Sequence, residues 1–129
     1  MKASDRVRWD SAAEWRRIVL SNRCHLKPSH RAVLVALSYF GNRYGDRIFP
    51  SQATVAERTG ACRRTVVRAT EQAVQAGFLE RWQVGGGQGY KRYEYALTIP
   101  GPLADEAALN PDFRSELFGK RKSRRRPTM

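Results

Sequence analysis

Pro50-Ser51-Gln52-Ala53-Thr54-Val55-Ala56-Glu57-Arg58-Thr59-Gly60-Ala61-Cys62-Arg63-Arg64-Thr65-Val66-Val67-Arg68-Ala69 is the stretch that decides the fold. It reads as two short helices joined by a glycine turn. Ser51 is placed to cap the first helix, its hydroxyl accepting a free amide of the first turn. Val55, Ala56 and Thr59 recur at three- and four-residue spacing and predict one buried face. Gly60 stops that helix, because the left-handed turn conformation suits glycine. The second helix is expected from near Cys62 to Gly77, opening on paired arginines. Counted from Gln52, Ala56 is fifth, Gly60 ninth and Val66 fifteenth. A small, a turn and an apolar residue at those places let two helices cross closely, as in a helix-turn-helix.

Working outward, the preceding segment predicts two helices. Ser11-Ala12-Ala13-Glu14 fits a capping box and opens a helix over 11–22, with Trp15, Ile18 and Val19 inward and Arg16 and Arg17 outward. Pro28 suits the first position of the next helix, where its missing amide costs nothing. Val33, Leu34, Leu37, Tyr39 and Phe40 give that helix an apolar stripe, ended by Gly41 to Gly45. Arg47-Ile48-Phe49 is expected as a minimal strand before Pro50.

After Gly77 the period changes from helix to strand. Phe78 to Val84 alternates, with Phe78, Glu80, Trp82 and Val84 on one face and Leu79 and Arg81 on the other. Gly85-Gly86-Gly87-Gln88-Gly89 is a turn, and Tyr90 to Thr98 alternates again, Tyr93, Tyr95 and Leu97 opposing Arg92, Glu94 and Thr98. Beyond Pro100-Gly101-Pro102, short helices over 104–109 and 112–118 are expected, broken at Asn110-Pro111.

The chain has 129 residues and a net charge of +12, enough for one domain with a core. Residues 120–126 hold six bases: Lys120, Arg121, Lys122, Arg124, Arg125 and Arg126. Residues 102–119 carry −3, so once these two segments are set aside residues 1–101 retain +9. A sequence pI near 10.7 points to a polyanionic partner. The basic tail repels itself and is expected to stay disordered until it meets one. No run approaches the roughly 20 apolar residues of a membrane helix. The polar start predicts no signal peptide, and Cys24 and Cys62 make no disulfide framework. Cytoplasmic, nucleoid-associated residence is the resulting expectation.

From about Leu26 to Thr98 the chain resembles the winged helix-turn-helix domains of phage and plasmid replication proteins and related small regulators. The likeness rests on Phe49-Pro50-Ser51-Gln52, Ala56-Glu57-Arg58-Thr59-Gly60, Arg63-Arg64-Thr65-Val66 with Arg68-Ala69, and Ala76-Gly77-Phe78-Leu79. It implies an α+β winged helix: a three-helix core with a wing of two or three strands, plus an extra N-terminal helix. The expected organisation is a helical extension over 1–25, the domain over 26–99, a C-terminal extension over 100–119 and a basic tail over 120–129. Two departures stand out. Thr70 and Ala73 replace the usual leucines, leaving space for Trp15 or Trp82, and Cys62 replaces a capping serine or threonine.

A recognition helix in the major groove presents its first turn and outer face to base edges. Arg63, Arg64, Val67 and Arg68 are the base-reading candidates, since arginine donates two hydrogen bonds to guanine and valine suits a thymine methyl. Glu71 is placed to pair with Arg68 or to read cytosine. Ser51, Gln52 and Thr54 at a helix start, and Thr65, are phosphate candidates. Gln88, Lys91 and Arg92 on the wing and the six tail bases complete that set.

Enzyme readings fail on their own terms. The glycine run before Tyr90-Lys91 lacks the lysine, hydroxyl and helix of a phosphate loop. Cys24, His25 and His30 have no zinc spacing, and a cysteine–histidine pair here has no orienting third group. The expected partner is double-stranded DNA, with a possible homodimer through the N-terminal helix or through Phe113, Leu117 and Phe118. No cofactor, metal, membrane or small-molecule substrate is expected. Within DNA binding, a transcription regulator of a mobile element and a replication-origin or excision factor compete. A protein-binding winged helix without DNA contact is the alternative of another class, and RNA binding through the tail a third.

Overall fold

The computed structural model describes residues 6–84, 92–110 and 112–113. Its elements run β1 (Arg6–Arg8), α1 (Ala12–Val19), α2 (Pro28–Ser38), α3 (Gln52–Thr59), α4 (Arg63–Ala76), β2 (Leu79–Val84), β3 (Arg92–Pro100) and α5 (Gly101–Leu109). Helix α2 packs on both α3 and α4, which pack on each other, while α1 lies against α2 and β3.

The helix boundaries follow the local chemistry. Ser11 Oγ accepts the Glu14 amide at 3.2 Å and starts α1, and Pro28 stands in the first turn of α2. Ser51 Oγ accepts the Thr54 amide at 3.1 Å, while Gly60 ends α3 at φ 76°. Gly77 ends α4 at φ 90°. Gly77 N then donates to Val74 O and Phe78 N to Ala73 O, the two bonds of a Schellman cap.

Strand β3 is the centre of an antiparallel sheet of order β1-β3-β2, with Leu79 opposite Leu97, Val84 opposite Arg92 and Arg8 opposite Thr98. The Arg47-Ile48-Phe49 strand reduces to a single bridge from Ile48 to Tyr95. Gly45 O extends that edge by accepting Leu97 N at 2.8 Å.

The core joins Trp15, Ile18 and Val19 of α1 to Val33, Leu34 and Leu37 of α2, Val55 of α3, Val66, Ala69 and Ala73 of α4, and Leu79, Tyr95, Leu97 and Ile99 of the sheet. Trp15 is fully buried in the same cluster as Ala73, while the Tyr95 hydroxyl meets the Thr70 side chain. Trp82 stays half-buried on the outer face, with the Arg8 guanidinium over its ring.

Several expectations are corrected. β1 was not foreseen; its residues are mostly polar and are ordered by the free edge of β3. Tyr39 does not belong to the apolar stripe: it caps α2, is exposed, and has Arg16 stacked on it. Arg16 is not a free outward charge, because its Nε also donates to Ser38 Oγ at 2.7 Å. Helix α1 ends at Val19 rather than near Asn22, and α5 begins at Gly101, three residues early, since Pro102 is tolerated in a first turn. Phe113, expected to need a partner chain, is buried within its own chain beneath Arg23, which also pairs with Glu106. Leu117 and Phe118 lie outside the described residues.

Candidate nucleic-acid interface

Helix α4 has an inner and an outer face set by its period. Val66, Ala69, Thr70 and Ala73 are buried. Arg63, Arg64 and Arg68 are exposed on the other side with Glu71 and Gln72, and Val67 and Thr65 are half-buried at the border. The anticipated pairing of Arg68 with Glu71 does not form: among the described residues the ion pairs are Arg8–Glu80 and Arg23–Glu106.

Arginines elsewhere are built into the fold. Arg6 donates to Leu79 O at 2.7 Å and Val74 O at 2.9 Å, and Arg31 donates to three carbonyls, those of Leu26, Ser21 and Cys24. Arg63, Arg64 and Arg68 have no hydrogen-bond, carboxylate or ring partner among the described residues. A guanidinium with its five donors unspent is available for a ligand.

The start of α4 is electropositive for a second reason. Its capping residue Cys62 makes no side-chain cap, but its Sγ lies 3.3 Å from Thr65 Oγ1. The Thr65 hydroxyl and the backbone amides of the first turn hold the Cys62 thiol below the ordinary cysteine range. Free amides and the helix dipole favour any anion placed there. Thr65, expected on a phosphate, is thus already engaged with Cys62.

At the start of α3, Ser51 and Thr54 are bound to each other, Oγ to Oγ1 at 2.9 Å. What remains for an anion is the pair of first-turn amides on Gln52 and Ala53, which have no intrahelical acceptor. The wing tip with Gln88 and Lys91, and the tail bases Lys120, Arg121, Lys122, Arg124, Arg125 and Arg126, lie outside the described residues, as does the side chain of Arg92. The backbone of β3 nonetheless begins at Arg92, directly opposite Val84.

Sequence reasoning weighed His25 and His30 only as metal ligands or as part of a cysteine–histidine pair. Among the described residues no three histidine, cysteine or acidic side chains are grouped to hold a metal. Instead, His30 is buried in the first turn of α2, facing the middle of α4 across a cleft that Lys27 and Arg68 also line. Burial first, and then the nearby charges of Lys27 and Arg68, lower its pKa below the ordinary histidine value. Pro28 was the available signal, since a helix starting there puts residue 30 in its first turn. Cys24 is buried and free, with its thiol pKa raised by burial.

No described helix is long and apolar enough to cross a membrane. Comparison with curated proteins and with solved structures gives no match. Residues 25–79 match a helix-turn-helix domain family, a span that begins just before α2 and closes at the first residue of β2. With α3 and α4 joined through Gly60 and an antiparallel sheet following α4, the described residues have a winged helix-turn-helix arrangement, and residues 25–79 are similar to that family.

Proposed function

We propose that this chain binds double-stranded DNA sequence-specifically and regulates transcription for a phage, plasmid or other mobile element. The observation that carries the DNA reading is the exposed first turn of α4, where Arg63 and Arg64 stand without partners among the described residues. In this reading α4 enters the major groove and its first-turn arginines, Arg63 and Arg64, donate to guanine O6 and N7, while Val67 meets a thymine methyl. The start of α3, capped by Ser51 and Thr54, rests on a phosphate through the free amides of Gln52 and Ala53. Gln88, Lys91 and Arg92 reach the neighbouring backbone or minor groove, and the tail from Lys120 to Arg126 adds contacts without sequence information. The regulatory role draws its support from the resemblance to small regulators carried by the motif residues.

The test is selection of bound duplexes from a random library at physiological salt. Enrichment of an inverted repeat supports a dimeric regulator; tandem direct repeats overturn that role in favour of an origin or attachment factor. Loss of all retention overturns DNA binding. On the selected site, Arg64→Ala is expected to cost about 1–3 kcal/mol and relax one base position. Truncation after Gly119 should weaken all sequences alike and lower the salt slope by about 0.9 per lost phosphate contact.

A further inference from the structure

The cleft between the start of α2 and the outer face of α4 is lined by His25, Lys27, His30, Arg68, Glu71 and Gln72 and has a volume of about 470 Å³. We propose that it holds a phosphate of the DNA backbone flanking the bases read by α4, and that Arg68 therefore grips the backbone rather than a base. This rests on the DNA-binding reading above and deepens it.

Three observations converge on an anion. First, the cleft gathers two fixed positive charges, Lys27 and Arg68, and two histidines around a single carboxylate, Glu71. Neither base is ion-paired among the described residues, so the surplus is uncompensated within the domain. Second, His30 is only 7% exposed and lines the cleft, yet its ring makes no hydrogen bond with a described residue. Its ring nitrogens keep a little solvent contact, so a ligand in the cleft can supply them with a partner. Third, the cleft opens beside the row that begins at Arg63 and Arg64. A helix seated in the major groove by its first turn has the sugar–phosphate walls of that groove on either side. Arg68 lies one turn beyond Arg64, toward the start of α2.

The charges around His30 make this contact a proton-linked one. Lys27 at the start of α2 and Arg68 on α4 repel a protonated ring, His25 on the approach to α2 adds to that when charged, and Glu71 on α4 alone opposes it. In the free protein burial and these charges favour the neutral His30 ring. A phosphate between Lys27 and Arg68 reverses the local sign, so the ring gains a proton as DNA binds. Proton uptake on binding means that affinity rises as pH falls.

The experiment measures binding of the full chain to its selected duplex and to a random duplex, as a function of salt and pH. The variants are Lys27→Ala, Arg68→Ala, His30→Gln and His25→Gln, with Arg64→Ala as the marker of base reading. Lys27 and Arg68 are exposed, so their variants keep the fold. Each is expected to weaken both duplexes by the same factor and to lower the salt slope by about 0.9. Over a fourfold rise in salt, that makes the loss of affinity about threefold smaller than for the parent chain. The parent should gain up to about tenfold in affinity per unit fall in pH within the window where His30 is charged only in the complex. His30→Gln should flatten this profile, whereas His25→Gln should leave most of it.

Arg68→Ala relaxing a base position, as Arg64→Ala does, would overturn the assignment. So would an unchanged salt slope for Lys27→Ala and Arg68→Ala on a duplex that Arg64→Ala weakens; DNA binding itself would stand. Failure of every duplex to bind would instead remove the reading beneath. Titration with inorganic phosphate, followed on the His30 ring resonances, separates the sources. Saturation by millimolar phosphate with unaltered DNA slopes would identify a free anion and overturn the backbone assignment.

Discussion

Replacing Trp15 with phenylalanine isolates one interaction at the joint between the recognition helix and the sheet. Phe78 N would ordinarily donate across the ladder to Thr98 O, since Thr98 N donates to Phe78 O at 3.2 Å. The cap of α4 diverts it: Phe78 N points back to Ala73 O at 2.8 Å. The Trp15 indole N–H takes its place, at 2.8 Å from Thr98 O and 3.1 Å from Phe78 O. Phenylalanine keeps an aromatic ring in the core but leaves Thr98 O buried without that donor, a cost of about 1–3 kcal/mol. The ring is smaller by roughly 40 Å³, which at about 24 cal/mol per Å³ of residual cavity adds about 1 kcal/mol. The sum, about 2–4 kcal/mol, corresponds to a fall of about 2 M in the urea midpoint for a slope near 1.5 kcal/mol/M. Urea unfolding followed by far-ultraviolet circular dichroism measures it, with an unchanged slope required for a two-state comparison. Trp82→Phe is the control: that ring is half-buried under Arg8, and its loss should cost under about 1 kcal/mol. Equal effects of the two substitutions, or a Trp15→Phe loss below about 0.5 kcal/mol, would refute the account of the α4–β2 joint.

Two further outcomes follow from local geometry. Gly60→Ala meets no atom within 4 Å, so its cost is the left-handed backbone alone, about 1–2 kcal/mol and largely recovered by Gly60→Asn; Gly41→Ala places a Cβ 2.3 Å from Ile48 Cγ1 and 2.5 Å from Asp46 O, and should cost about 3 kcal/mol or more in the same unfolding assay. Iodoacetamide near neutral pH should alkylate exposed Cys62, whose thiol pKa is lowered, and spare buried Cys24, whose pKa is raised; saturating DNA should protect Cys62, and mass spectrometry showing Cys24 labelled first would contradict the assignment.

The parts of the fold that were legible are those where one residue type settles a local conformation. Ser51, Gly60 and Gly77 each do so, because a hydroxyl at a helix start or a positive φ at its end has few substitutes. The strand character of β3 was legible too, but its alternation was not: Ala96 and Thr98 on the opposite face are as buried as Tyr95 and Leu97, because the central strand is covered on both sides. Strand β2 shows where the pattern stops deciding. Trp82 is its largest side chain, yet it stays half-buried while Leu79 on the opposite face enters the core, as does Phe78 just before the strand. Phe78 is drawn in by the helix cap before the strand begins, and Trp82 is covered by Arg8, 74 positions away in sequence. Strand β1 has the same character: Arg6-Val7-Arg8 carries no strand signal of its own and forms because β3 offers an unpaired edge.

The candidate site divides in the same way. Arg63 and Arg64 were legible because they follow the turn glycine at fixed spacing. The cleft beside them was not, since His30 and Arg68 are 38 residues apart and meet only when α2 packs on α4. That packing is in turn held from outside the matched segment. Trp15 of α1 secures the end of α4, Arg6 of β1 donates to Val74 O and Leu79 O on either side of the same joint, and Arg23 joins the approach to α2 to Glu106 of α5. These contacts fix the angle between α4 and the sheet. A helix that reads bases and a wing that tracks the backbone must be held at one angle to engage a duplex together. On the proposed DNA reading, the flanking elements would act on DNA geometry through the joint at Gly77 and Phe78, although none of their own residues stands on the outer face of α4.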